Sequence, residues 1–255
     1  MRNELILLFT ALSYYSTIPL YNFGDFSPAA MKKANRYFPL VGWIVGGFAA
    51  LVFILAGLVF PNSIALLLSM VSTIALTGAF HEDGLADSVD GFGGGYTKEK
   101  ILEIMKDSRI GTYGAIALVS FLALKYAFLY EMDTVMLPFV LIAGHSISRF
   151  MAVTFLITYT YARQNDATSR SSSVSQKMSM PELIVAGVFG FAPIFLLGLK
   201  YFLVLIPLFI IRQVVGHYLN KRIGGFTGDT LGAFQQITEL AFYVSVYLIA
   251  LWTFI

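Results

Sequence analysis

Four carboxylates, Glu82, Asp83, Asp87 and Asp90, fall within nine residues of a chain in which only 13% of residues are charged. They sit in the stretch His81-Glu82-Asp83-Gly84-Leu85-Ala86-Asp87-Ser88-Val89-Asp90-Gly91, directly after an apolar run ending at Phe80. On a helix each residue turns by ~100°, so Asp83, Asp87 and Asp90 fall at about 0°, 40° and −20°. Like charges at these spacings repel unless a cation lies between them. The stripe therefore predicts a divalent-metal site held by Asp83, Asp87 and Asp90. Glu82, about 100° off the stripe, is an outer ligand. An all-oxygen donor set favours Mg²⁺ or Mn²⁺. The competing reading is a solvated acidic helix, for which Gly84 and Gly91 are poor residues. His81 reads as a neighbour of the site rather than a ligand.

Two further polar motifs flank apolar runs. Lys106-Asp107-Ser108-Arg109-Ile110-Gly111-Thr112-Tyr113-Gly114 opens one of them. A helix N-terminus with free N–H groups and adjacent Lys106 and Arg109 is suited to phosphate. The second, Gly224-Gly225-Phe226-Thr227-Gly228-Asp229-Thr230-Leu231-Gly232-Ala233, opens the last apolar run. Thr227 or Asp229 suits an N-cap, but four glycines in nine residues point to backbone contact with a ligand. Asp229 is also placed to join the metal cluster. Gly93-Gly94-Gly95 either lets a ligand approach the backbone or allows a sharp exit from the acidic helix. Lys98 to Met105 reads as an interfacial amphipathic helix. Inside apolar runs, Arg149 with His145 one turn earlier is assigned to phosphate or a buried carboxylate. Arg212 is within snorkelling reach of the membrane face, and Lys125 reads as an anchor.

Apolar residues (AVILMFWYC) make up 57% of the 255, against ~45–50% in soluble domains. Mean hydropathy is +0.75. The fold class is therefore an all-α, polytopic integral membrane helix bundle. Apolar runs cover about 4–20, 38–59, 62–80, 110–130, 135–158, 182–199, 201–217 and 231–255. They predict six to eight spans, eight as the best figure, the first crossing or re-entrant because it is short and carries Tyr14, Tyr15 and Pro19. A single transmembrane domain covers 1–255, with neither a soluble domain nor an internal repeat. Alternate loops at 21–37, 81–109, 159–181 and 218–230 hold twelve Lys and Arg; the opposite loops hold two, Arg2 and Lys200. The long loops are thus expected on the cytoplasmic side, and with them all three polar motifs. The Ser-rich segment 163–177 reads as flexible. The net charge of +2 and the lack of a basic tract give no reason to expect nucleic acid. With no cysteine, disulfides and thiolate ligands are excluded.

Taken together, these motifs resemble the cobalamin synthase family, the adenosylcobinamide-GDP ribazoletransferases. The resemblance rests on Thr17-Ile18-Pro19, Arg36-Tyr37-Phe38-Pro39-Leu40-Val41-Gly42, the His81 to Gly91 block, Glu103 to Gly114, and Gly225 to Gly232. It implies a Mg²⁺-dependent enzyme of a prokaryotic inner membrane. Such an enzyme joins adenosylcobinamide-GDP to α-ribazole or its 5′-phosphate and releases GMP. Asp83 and Asp87 are then the principal metal ligands, and Asp90 a shared ligand and base. Lys106, Arg109 and Arg149 balance phosphate charge, with Asp107, Thr227 and Asp229 in the substrate site. The lipid bilayer is the expected environment, and oligomerisation is left open.

Two other functions are compatible with an acidic cluster at a membrane. A CDP-alcohol phosphotransferase of phospholipid type uses similar chemistry, but no Ala-Arg pair follows Asp83-Gly84 here. A cation-coupled transporter predicts carboxylates near the bilayer midplane on broken helices. The stripe at the end of an apolar run, beside glycine-rich motifs, favours an enzyme.

Overall fold

A computed structural model describes residues 2–163 and 177–252. The serine-rich segment falls almost wholly outside them. The described residues are helical apart from turns and one isolated bridge between Tyr161 and Phe226. The helices are α1 Arg2–Tyr15, α2 Pro28–Ala34, α3 Phe38–Gly57, α4 Asn62–Thr77, α5 Phe80–Gly94 and α6 Lys98–Ile104. They continue with α7 Thr112–Tyr130, α8 Leu137–Val153, α9 Phe155–Thr158, α10 Met180–Phe191, α11 Leu205–Ile223 and α12 Gly228–Trp252.

The centre of the bundle is α8. Along Leu137–Thr158, 89% of the most apolar window is buried, against 17% for α7 at the periphery. α3 lies directly on α8, and small residues make that approach close. A Cβ on Gly42 would collide with the His145 carbonyl, and one on Gly46 would sit 2.6 Å from Ile142 Cα. In lipid, where apolar burial drives little association, such backbone proximity supplies the packing.

Among the described residues, five helices are long and apolar enough to cross a membrane, or six if α4 and α5 count as one broken span, the low end of the expected six to eight. α1, with 14 residues, does not cross. Near its start Glu4 meets Arg36 and Tyr37, and at its end Tyr15 Oη donates to Asn35 Oδ1 at 2.7 Å. Both ends of α1 thus meet the segment that precedes α3, so the helix lies across one end of the bundle. The short α10 behaves differently. Met178 N–H donates to Leu156 O, the Phe189 carbonyl accepts from Ser146 Oγ, and Tyr201 Oη meets Met136 Sδ. α10 and the 3₁₀ turns after it therefore run antiparallel to α8 over its whole depth, along the apolar run expected at 182–199, although the helix is under 18 residues.

The acidic helix is set by an elbow. Gly78 and Ala79 adopt φ of 64° and 56°, both left-handed, and α5 leaves at 86° to α4. Ala79 is the one non-glycine residue with positive φ among those described, a conformation costing about 1 kcal/mol. Thr17 clasps the elbow, its N–H and Oγ1 both donating to Leu76 O. α4 pairs lengthwise with α3, so α5 runs across the bundle end and is not itself a crossing. α6 packs below it through Ile101 and Met105, which form a small core with Ile223.

Candidate active site

α5 brings its carboxylates against the start of α12 and the start of α7. Gly84 permits the first contact: a Cβ there would lie 2.7 Å from Asp229 O. Asp83, Asp87 and Asp229 thereby share one region. Burial, then the charges of Asp83, Asp229 and Asp90, push the Asp87 carboxyl up to about 7. Arg163, 3.0 Å from Asp229, brings a basic group to the cluster and was legible beforehand only as a loop charge. Glu82 Oε1 accepts from Gln236 Nε2 at 3.1 Å, while its buried Oε2 has no partner among the described residues.

Asp90 departs from the stripe. Its Oδ2 accepts Gly111 N–H at 2.7 Å and its Oδ1 accepts Gly114 N–H at 2.8 Å. A Cβ on either glycine would collide with that carboxylate. The N–H groups of α7 expected to receive phosphate are thus already occupied by an internal anion, for the dipole reason that made them attractive. Asp90 fastens α5 to α7.

The other expected site residues separate in the same way. Asp107 is held down to about 2 by hydrogen bonds from Arg109, whose guanidinium lies 2.6 Å away and is 87% exposed. Both line an open groove of about 800 Å³ together with Lys100, Lys106 and Gly111. Thr227 is fully buried and caps α12: its N–H donates to Thr230 Oγ1, and Thr230 N–H donates back to Thr227 Oγ1. Gly93 and Gly95 are packing positions, one beneath the Tyr113 ring and the other against Ile101.

Arg149 lies away from the groove. It is 1% exposed, with Nη1 donating to His145 O at 2.8 Å and its guanidinium over the Phe38 ring. Next to it is a buried network that sequence reasoning missed. Lys125, expected as an anchor, is 2.7 Å from Glu239 Oε1, and His145 Nδ1 is 3.3 Å from Glu239 Oε2. Gln235 and Tyr243 also donate to Glu239. Gln236 accepts from Lys125 and passes the chain of contacts on to Glu82. Opposite charges inside two separate apolar runs were the available signal. Arg212 is buried as well, bonded to Thr154 and Thr158 instead of reaching the membrane face.

Among the described residues, no three His, Asp or Glu side chains form a ready-made metal cage. The donor chemistry nevertheless fits Mg²⁺. That ion is ordinarily bound by one or two carboxylates plus water and substrate phosphate, and the mutual repulsion at Asp87 is what a cation relieves.

The fold and this end of the bundle define a multi-pass membrane protein that gathers its polar chemistry at one end. The family model for cobalamin-5-phosphate synthase matches residues 7–247, and the chain belongs to that family. It is 43% identical to an adenosylcobinamide-GDP ribazoletransferase of Shewanella frigidimarina, over 97% of this chain and 96% of the relative. Identity is 44% to the protein of the same name from Ralstonia pickettii, over 94% of each. For the Vibrio parahaemolyticus protein of that name it is 43%, over 96% and 93%. No solved structure matches the chain.

Proposed function

We propose that this protein joins adenosylcobinamide-GDP to α-ribazole or its 5′-phosphate, giving adenosylcobalamin or its 5′-phosphate and GMP. The observation that carries this reading is the acidic region of Asp83, Asp87 and Asp229 beside a basic groove, in a chain matching that family along nearly its whole length. The ribose 3′-hydroxyl attacks the phosphorus that bears the cobinamide arm. The P–O bond to GMP breaks, and the hydroxyl proton leaves to a carboxylate. A carboxylate of this region within reach of the hydroxyl serves as that base.

Asp83, Asp87 and Asp229 would hold Mg²⁺. When bound, it supplies charge neutralisation to the diphosphate and its leaving group. Lys100, Lys106 and Arg109 line the groove that receives the nucleotide phosphates. Asp90 holds α5 and α7 at fixed separation, so groove and acids keep their spacing. We place this end on the cytoplasmic side of a prokaryotic inner membrane, supported by the twelve-to-two loop asymmetry.

The test is purified protein in liposomes with Mg²⁺ and both precursors, followed for GMP and cobamide. Stoichiometric appearance of the two is the expected result. Absence of GMP from folded protein overturns the reading.

A further inference from the structure

We propose that Arg163 contacts substrate, its guanidinium binding the phosphoryl group that bears the cobinamide arm of adenosylcobinamide-GDP. This rests on the proposed joining reaction and adds to it a residue that lies outside all three polar motifs.

The residues just before Arg163 fix its place. Ala162 N–H donates to Phe226 O at 2.8 Å, and Phe226 N–H donates to Thr160 O at 3.0 Å. Tyr161 forms the isolated bridge with Phe226. Gly225 makes this approach possible: its φ is 148°, and a Cβ there would collide with the Thr160 carbonyl. The chain after α9 is thereby pinned to the turn that opens α12. Arg163 comes next, and its Nη2 reaches to 3.0 Å from Asp229 Oδ2.

The Arg163 side chain is only 10% exposed, yet its Nε and Nη2 make no hydrogen bond among the described residues. Its contact with Asp229 is thus an ion pair by distance without hydrogen-bond alignment. Arg109 shows the alternative. Its Nε and Nη2 both close on the Asp107 carboxylate, a bidentate pair at an exposed position. An arginine that only balanced the acidic region would close on Asp229 in that way. Arg163 keeps the same edge of its guanidinium open, although burial makes unspent donors costly. Two parallel N–H groups on that edge match two oxygens of a phosphate.

Position selects which phosphate. Asp90 lines the open groove, and Asp229 meets α5 at Gly84. Six residues of helix separate those two levels, about 9 Å. Asp87 lies between them, and the charge of Arg163 acts on its carboxyl. With the phosphate next to guanosine in the groove near Lys106, the second phosphorus of the diphosphate falls toward Asp87 and Arg163. That phosphorus is the one the ribose hydroxyl attacks. Arg163 offsets charge on its non-bridging oxygens while the bond to GMP breaks.

The experiment uses the full chain with Mg²⁺. Binding of adenosylcobinamide-GDP is read by equilibrium dialysis without α-ribazole, so no turnover intervenes, and kinetics are measured in liposomes. Arg163→Lys keeps the charge and loses the fork. It should weaken binding of adenosylcobinamide-GDP on the order of tenfold. It should also lower kcat on the order of 10²-fold, at a near-parental melting temperature. KM for α-ribazole and for its 5′-phosphate should both stay within about twofold. Arg163→Met should bind no better than Arg163→Lys. Parental binding together with parental kcat in Arg163→Lys overturns the proposal and leaves Arg163 as a charge balance for Asp229. A rise in KM confined to α-ribazole 5′-phosphate also overturns it, because the phosphate contacted would be that one. So does weakened binding that comes only with a depressed melting temperature. A parent protein that binds adenosylcobinamide-GDP in an Arg163-sensitive way but forms no GMP keeps the contact and sinks the joining reaction.

Discussion

Lys125 and Glu239 form an ion pair of 2.7 Å inside the bundle, with side chains 7% and 1% exposed. One comes from α7 and the other from α12, and His145 of α8 closes on the same carboxylate. Removing one partner of a buried pair strands the other charge, which typically costs about 3–5 kcal/mol. Glu239→Gln should therefore lower the melting temperature sharply in a fixed lipid or detergent. The double variant Lys125→Met, Glu239→Leu should recover much of that loss. A double variant no more stable than Glu239→Gln would show that the loss comes from His145, Gln235 and Tyr243 left without their acceptor rather than from the stranded Lys125 charge.

Asp83 and Asp90 should behave oppositely although both lie on the acidic stripe. Asp83→Asn is expected to lower turnover by at least about 10³-fold, roughly 4 kcal/mol in the barrier, with the melting temperature nearly unchanged. Asp90→Asn loses one of two bonds to the start of α7 and should cost about 1–3 kcal/mol of stability. Gly114→Ala should mimic it, because its methyl group meets that carboxylate. Parental stability in Gly114→Ala would refute the fastening role.

The Asp87 carboxyl gives a signed pH dependence. Its folded pKa, about 7, lies above the ordinary value of 3.8, so the folded metal-free protein holds this proton more tightly than the unfolded chain. That contribution is complete below about pH 4 and is lost as pH rises through about 7. Mg²⁺ competes with the proton. Its stabilising effect should then be larger near pH 8 than near pH 5, with proton release on binding at neutrality. Asp87→Asn should flatten both. A Mg²⁺-induced shift independent of pH in the parent would remove Asp87 from the ion's site.

Arg149 provides a direct comparison of two roles. Its guanidinium is enclosed by His145 and Phe38. Arg149→Lys should depress the melting temperature while kcat stays within about threefold, since no reacting phosphate is contacted. A loss beyond about 100-fold in kcat in a protein of parental stability would return Arg149 to the substrate site.

Membrane orientation is open to a labelling test because the chain lacks cysteine. Tyr96, 92% exposed at the acidic end, and Val135, 78% exposed at the opposite end, are suitable positions. In intact cells an impermeant thiol reagent should label Val135→Cys and spare Tyr96→Cys until the membrane is opened. The reverse pattern would put the acidic end outside.

Helix existence was legible because each apolar run needs only its own residues to satisfy its backbone in lipid. The stripe of Asp83 and Asp87 was legible too, since helical periodicity places neighbours within one element. The family resemblance came from local blocks of the same kind. What periodicity does not encode is which helix lies alongside. Asp90 of α5 also binds the start of α7, because the elbow at Gly78 and Ala79 sets α5 across that helix. α1 lies across the bundle because Glu4 and Tyr15 both find partners within 35–37. Lys125 is buried because Gln236, 111 residues away, and Glu239 are brought to its ammonium group. Burial and pairing between distant positions are properties of packing, so only the tertiary structure decided them.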